Sequence, residues 1–198
     1  MPKIVDHEKR KKQIAEATWR VILNLGMEGA TVRNIAKEAG LSLGALRHYF
    51  STQDELLVYA MNLVKEQATV RINEITRKDL PPKEMILHIL LQLVPINEET
   101  MAEMEVWFAF IAHARHKGDI FNLKDDGVFN GIKKLVDSMD QFGLLRKELD
   151  IAVETEKLYA LIDGIALHAL LEPKRVDKER IVRVLEHHLD SICIEEKK

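Results

Sequence analysis

The chain has 198 residues, of which 46% are hydrophobic and 31% are charged, a composition that is typical of a folded globular protein and excludes a largely disordered one. The single cysteine, Cys193, excludes an internal disulfide and a zinc site built from several thiolates. The net charge is −3, but residues 1–50 carry a balance of +4 and the other 148 residues one of −7. This asymmetry indicates either a basic module that binds an acidic partner or an ordinary solvated face.

The spacing of apolar residues is helical almost throughout the chain, and it predicts an all-α fold of about nine helices without a strand. A first helix is predicted from Glu8 to Leu25, with Gly26 ending it. Two short helices follow, and Thr31 and Ser42 are their expected N-caps. Two short helices joined by a tight turn are typical of a helix-turn-helix.

Six further helices are predicted after these three, from capping residues, prolines and apolar spacing. Their expected ranges are 52–75, 82–95, 97–118, 119–142, 150–171 and 177–192. The last two are rich in apolar residues and suit the seam of a helix bundle. That seam is either a dimer interface or a surface buried against the same chain.

Residues 31–50 carry the features of a DNA-reading motif. In a helix-turn-helix the second helix enters the major groove with its N-terminal residues facing base edges. The residues that this helix offers are Ser42, Leu43, Gly44, Ala45, Arg47 and His48. Leu43 and Ala45 suit thymine methyl groups, and Arg47 suits a guanine edge. Three more residues, Thr31, Arg33 and Tyr49, are placed for phosphate contacts.

This stretch resembles the TetR family of bacterial transcriptional regulators. The matching elements lie within residues 8–57 and are Leu25-Gly26, residues 29–36, residues 39–46, His48-Tyr49-Phe50 and Asp54-Glu55-Leu56-Leu57. Residues 160–173 resemble the subgroup that includes the choline-responsive betaine-synthesis repressor. The resemblance implies a homodimer held by the last two helices and a small-molecule pocket in the middle helices. It also implies a repressor that binds a palindromic operator in double-stranded DNA and is released by an inducer.

From the motif and this resemblance we expect residues 1–50 to form the helix-turn-helix DNA-binding domain, and residues 51–198 a helical ligand-binding and dimerisation domain. Two positions depart from the family pattern. Gln53 stands where the family usually has a lysine that reaches a DNA phosphate, so we expect a slightly lower salt sensitivity. His48 stands where an aromatic residue is common, and we expect it to pack or to contact phosphate rather than read a base.

The middle helices offer a set of pocket candidates, because apolar and aromatic side chains commonly line such sites. The candidates are Met101, Met104, Glu105, Trp107, Phe108, Ile111, Phe121 and Asp163. The same apolar pattern also fits an ordinary core. Glu105 and Asp163 suit a cationic ligand, with Trp107 adding cation–π attraction, or they lie at the surface or in an intersubunit hydrogen bond.

Features of an enzyme, a metalloprotein or a membrane protein are not found. His113 and His116 lack an acidic partner at a zinc-binding spacing, and there is no phosphate-binding glycine loop or nucleophile motif, so we expect no metal, no cofactor and no catalysis. A signal peptide and a membrane-spanning stretch are also lacking, so we expect a cytoplasmic protein, associated with the nucleoid when bound. The alternative to a ligand-responsive repressor is an all-helical dimer that binds a small molecule or a partner without sequence-specific DNA binding. The residue types at 31–49 favour the repressor.

Overall fold

The structure, a computed structural model, describes residues 7–115 and 127–194. These residues form nine α-helices, one 3-10 helix at Leu91–Leu93 and an isolated bridge between Leu145 and Cys193. The helices are α1 His7–Gly29, α2 Val32–Glu38, α3 Leu43–Tyr49, α4 Gln53–Ile75, α5 Pro82–Leu90, α6 Glu98–Ala114, α7 Gly127–Gln141, α8 Ile151–Leu171 and α9 Lys178–Ile192. The all-α prediction is confirmed for this part of the chain.

The predicted helix ends agree with the structure where local chemistry decides them. Thr31 and Ser42 cap α2 and α3, because their hydroxyl oxygens accept from the backbone N–H of Asn34 and of Ala45 at 3.2 and 3.1 Å. The helix predicted to run to Pro95 instead ends at Leu90, and the 3-10 helix fills the interval. Residues 119–126 of another predicted helix lie outside the described ranges.

Two glycines set the path of the chain around the first three helices. Gly26 has φ 68° and ψ −179° and interrupts α1, so its predicted role as a helix end is confirmed, with one more turn following it. Gly40 has φ 64° in the turn between α2 and α3. The backbone N–H of Leu41 donates to the carbonyl of Ala36 at 2.8 Å, which closes that turn.

The chain divides into two compact units. Among the described residues, unit 1 comprises 7–67 and 105–115, and unit 2 comprises 68–104 and 127–194. Unit 1 therefore contains α1 to α3, most of α4 and the C-terminal part of α6. Its buried core includes Ile14, Val21, Ile22, Ile35, Leu46, Phe50, Leu56, Leu57, Val106 and Phe110. Burial of these side chains provides the main stabilisation of the unit.

In unit 2, α7 packs against α8 and α5 packs against α9. The buried side chains of its last three helices include Ile132, Val136, Met139, Leu158, Ile162, Ala169, Ile181, Leu185 and Leu189. Asp150 and Asp177 cap α8 and α9 by accepting backbone N–H groups, as their positions in the sequence predict.

Candidate DNA-binding surface and ligand site

The first candidate site is the outward face of α3. Leu46 anchors this helix in the core of unit 1, with 1% of its surface exposed. Since Leu46 points inward, the opposite face is turned to solvent and leaves Ser42, Leu43, Gly44, Arg47 and His48 exposed, with Ala45 half-buried. The residues that the second helix was predicted to offer to DNA therefore share one accessible surface.

Gly44 leaves open space on that surface. A Cβ atom built at this position meets no other atom within 4 Å. Packing within the chain therefore does not require a glycine there. The absence of a side chain allows another molecule to approach the backbone of α3 closely, as a DNA groove does in a helix-turn-helix complex.

Two arginines, one on α2 and one on α3, are available for an external anion. Arg33 and Arg47 are exposed and form no ion pair with any residue in 7–115 or 127–194. Arg20 differs, since its Nε lies 2.6 Å from the Glu38 carboxylate and its charge is already paired. Guanidinium groups without a protein partner suit the phosphates and guanine edges of DNA.

An aromatic cluster lies at the C-terminal end of α3. The rings of His48 and Tyr49 have centroids 5.5 Å apart. The ring of His7, at the start of α1, lies 4.8 Å from Tyr49 and 6.2 Å from His48. His7 was not predicted, because its approach to α3 depends on the tertiary packing of α1 and leaves no local signal in the sequence.

The candidate ligand residues lie mostly on α6 and are mostly half-buried. This holds for Met101, Met104, Trp107, Phe108 and Ile111, and also for Asp163 on α8. Glu105 is exposed, which agrees with the surface alternative for that carboxylate. Phe121 lies outside the described residues. Assignment of these residues to a ligand pocket stays a prediction.

Two of the α6 candidates have a defined environment in unit 1. Trp107 and Ile111 pack against the core cluster that contains Val106 and Phe110. The ammonium of Lys65 lies 5.6 Å from the centroid of the Trp107 ring, within cation–π range. The predicted cation-binding face of Trp107 therefore already carries a cation from the same chain.

A buried ion pair in unit 2 was not predicted. The guanidinium of Arg71 on α4 donates to both carboxylate oxygens of Glu103 on α6, at 2.9 and 2.7 Å. Its Nε donates to Gln92 at 3.1 Å, and the carboxylate of Glu99 lies 3.8 Å away. Hydrogen bonding to Glu103 raises the pKa of Arg71 further. Only 4% of the Glu103 surface is exposed.

Comparison with known proteins agrees with this geometry. Residues 14–60 match the family model of bacterial regulatory proteins of the tetR family, and residues 82–194 match that of the C-terminal domain of BetI-type transcriptional repressors. The chain is 63% identical over 196 residues to the HTH-type transcriptional regulator PksA of Bacillus subtilis, covering 99% of this chain and 96% of that protein. The chain belongs to the TetR family. It is a DNA-binding transcriptional regulator, not an enzyme, as the sequence predicted.

Two further relatives of this TetR-family regulator are more distant. The HTH-type transcriptional regulator BetI of Escherichia coli is 31% identical over 196 residues, covering 96% of each chain. A crystal structure from Saccharomonospora viridis, a putative transcriptional regulator in complex with choline, has a TM-score of 0.82 at 19% identity. That comparison covers 95% of this chain and 100% of the other, and it shows that the two share a fold.

Gln53 has a defined partner in this TetR-family regulator. Its side-chain amide donates to the carbonyl oxygen of Ala30 at 2.8 Å, and the residue is half-buried. This bond joins the start of α4 to the residue just before the Thr31 cap of α2. The expected lower salt sensitivity at this position stays a prediction, and in the structure the amide binds the protein backbone.

The described part of the regulator shows neither a metal-binding cluster nor a membrane-spanning helix. Within residues 7–115 and 127–194, no group of three histidine, cysteine or acidic side chains is arranged to hold a metal ion. Of the two histidines that the sequence analysis considered for a metal, His116 lies outside the described residues. No helix in the described part of the chain is long and apolar enough to cross a bilayer.

Proposed function

We propose that this regulator is a repressor that binds a palindromic operator as a homodimer and is released by a small-molecule inducer. The observation that carries the proposal is the outward face of α3, where Arg47 has no ion-pair partner among the described residues and Gly44 leaves room for close approach. Residues 1–50 are the proposed DNA-binding domain, and residues 51–198 the ligand-binding and dimerisation domain. Operator binding brings the protein to the nucleoid, in the cytoplasm.

The proposed dimer interface uses α8 and α9. A stripe of small and apolar residues runs along α8 with spacings of three, four and seven residues. It consists of the exposed Val153, Ala160, Leu167 and Leu171 and the half-buried Gly164. Leu167 and Leu171 are 39% and 67% exposed in the single chain. Such spacing places the side chains on one face of a helix, and a second helix buries them by packing along it.

Gly164 supports the same interface. A Cβ atom built there meets no atom of this chain within 4 Å. The fold of the single chain therefore does not explain the glycine. Close approach of a second α8 explains it, because a glycine in a helix contact lets the two backbones come near each other.

The proposed inducer acts through α6. The C-terminal part of this helix contributes Val106 and Phe110 to the buried core of unit 1, which also holds Leu46 of the DNA-reading helix. A ligand that shifts α6 therefore changes the packing beneath α3. The ligand lowers operator affinity only by as much as it binds the two states differently. Choline is the first probe to test, since it occupies the neighbour from Saccharomonospora viridis.

Selection of bound duplexes from random-sequence DNA tests the proposal. We expect one enriched palindrome whose half-site centres lie about one helical turn, roughly 34 Å, or a multiple of it apart. Enrichment of no sequence supports the alternative function, an all-helical dimer that binds a small molecule or a partner. The matched control is Arg47→Ala, which we expect to fold normally and to lose preference at one base pair of each half-site.

A further inference from the structure

Two histidines from different helices lie beside one tyrosine at the end of the DNA-reading helix. His7 begins α1, while His48 and Tyr49 end α3. The two imidazole centroids are 6.2 Å apart. The centroids of the His7 and Tyr49 rings are 4.8 Å apart, and the two rings are tilted by 38° to each other. Half of the His7 side chain, 52%, is exposed, and His48 is exposed as well. Both rings can therefore contact an external group.

The charged and titratable groups around this cluster come from three helices. On α1, the Glu8 carboxylate lies 3.9 Å from Nδ1 of His7. On α3, Arg47 precedes His48 and is exposed. On α4, Tyr59 is hydrogen-bonded to Glu8, and burial followed by the charge of Glu8 raises the pKa of this phenol. Glu8 is thus shared between His7 and a neutral phenol, and it supplies one negative charge beside the His7 imidazole.

We propose that His7 joins His48 and Tyr49 in a proton-dependent site for a DNA phosphate, so that operator affinity rises as the pH falls from about 8 to about 6. This inference rests on the proposed DNA-binding function and adds a contact residue from outside the helix-turn-helix. It also makes operator binding sensitive to pH, since acidification strengthens repression.

Proton linkage follows from the chemistry of the three rings. A protonated imidazole donates from both nitrogens and carries a positive charge, whereas a neutral one donates from a single nitrogen. Charge-assisted hydrogen bonds to phosphate oxygens are about twice as strong as neutral ones. Two neighbouring imidazolium groups repel each other in the free protein, and a phosphodiester anion between them removes that repulsion. DNA binding therefore takes up protons from solvent, and mass action makes binding tighter at lower pH.

The experiment measures DNA affinity by fluorescence anisotropy between about pH 6 and about pH 8 at constant ionic strength. Four chains are compared, namely wild type, His7→Gln, His48→Gln and the double variant. His88→Gln is the matched control, because His88 on α5 belongs to unit 2 and its side chain is 46% exposed, close to the 52% of His7. Thermal unfolding of each variant at both pH values reports changes in folding separately.

In wild type we expect the Kd for the selected operator to fall about fivefold or more from about pH 8 to about pH 6. Each proton taken up on binding can change this Kd by at most about tenfold per pH unit. The dependence weakens in each single variant and drops below about twofold in the double variant, while His88→Gln follows wild type. A loss of affinity in His7→Gln that is equal at every pH overturns the inference. It would show that the cluster only packs α1 against α3.

A second probe separates this inference from the proposed function. Phosphate contacts do not depend on base sequence, so the same titration is run on a duplex of about 30 base pairs of arbitrary sequence. If no palindrome is selected but this duplex shows the same pH dependence and its loss in the double variant, the repressor proposal fails and the phosphate site stands. If a palindrome is bound with no pH dependence, only the phosphate site fails.

Discussion

Breaking the buried ion pair of unit 2 is predicted to destabilise the protein strongly. Glu103→Gln keeps the shape of the side chain but removes the negative charge that Arg71 binds through two hydrogen bonds. Arg71→Met removes the cation and leaves a carboxylate that is only 4% exposed without its main partner. Removing one partner of a buried pair exposes the full desolvation cost of the other, typically about 3–5 kcal/mol.

The two single changes should differ in cost. The Arg71 side chain is 22% exposed, and the carboxylate of Glu99 lies 3.8 Å from its guanidinium group. Solvent and Glu99 therefore partly compensate the charge of Arg71 after Glu103→Gln. We therefore expect about 2–3 kcal/mol for Glu103→Gln and about 3–5 kcal/mol for Arg71→Met. The double change Arg71→Met with Glu103→Leu removes both charges and should return to within about 1–2 kcal/mol of wild type.

Urea unfolding followed by circular dichroism measures these differences, at one fixed protein concentration because a dimer gains stability with concentration. Asp137→Asn is the control, since its i,i+4 pair with Lys133 is solvent-exposed and should contribute less than about 0.5 kcal/mol. Two single variants as stable as that control would refute the reasoning. A double variant as unstable as the sum of the singles would refute it as well.

Three further predictions concern DNA binding and assembly. Arg47→Ala should reduce discrimination at one operator position by about 1–3 kcal/mol, measured by competition between operator variants; uniform weakening for all sequences would contradict base reading. Gln53→Lys should add one phosphate contact in each DNA-binding domain. The slope of log Kd against log salt concentration should then increase by about one per domain. An unchanged slope would show that position 53 does not reach the DNA. A Cβ atom at position 164 has room beside the described residues but not in a close α8 contact. Sedimentation of Gly164→Leu should therefore show a folded monomer, and a dimer of wild-type affinity would exclude this interface.

The elements that sequence predicts well here depend on neighbours within four residues. Thr31 and Ser42 each cap a helix through an N–H three residues ahead, and Gly40 forms a turn that its residue type favours. The exposed face of α3 follows in a similar way, because Leu46 is apolar whereas Arg47 and His48, which follow it, are polar. These local rules place the candidate DNA-contacting residues before any tertiary structure is known.

The contacts that sequence missed join residues far apart in the chain. Gln53 binds the carbonyl of Ala30, and Arg71 binds Glu103. His7 reaches Tyr49 across more than 40 positions. Each of these contacts forms only when whole helices pack together, and neither residue type nor spacing in the sequence predicts it. For that reason the regulator's family was recognisable from a short motif, whereas these tertiary contacts were found only in the structure.

The ratio of affinities for the selected palindrome and for a scrambled duplex, measured at physiological salt, tests the central claim most directly. Specific DNA-binding proteins prefer their site by about 10³-fold or more over other sequences. We predict a ratio of at least this size, with two chains bound per palindrome and most of the preference lost in Arg47→Ala. A ratio near one, with wild type and Arg47→Ala binding equally, would contradict the account.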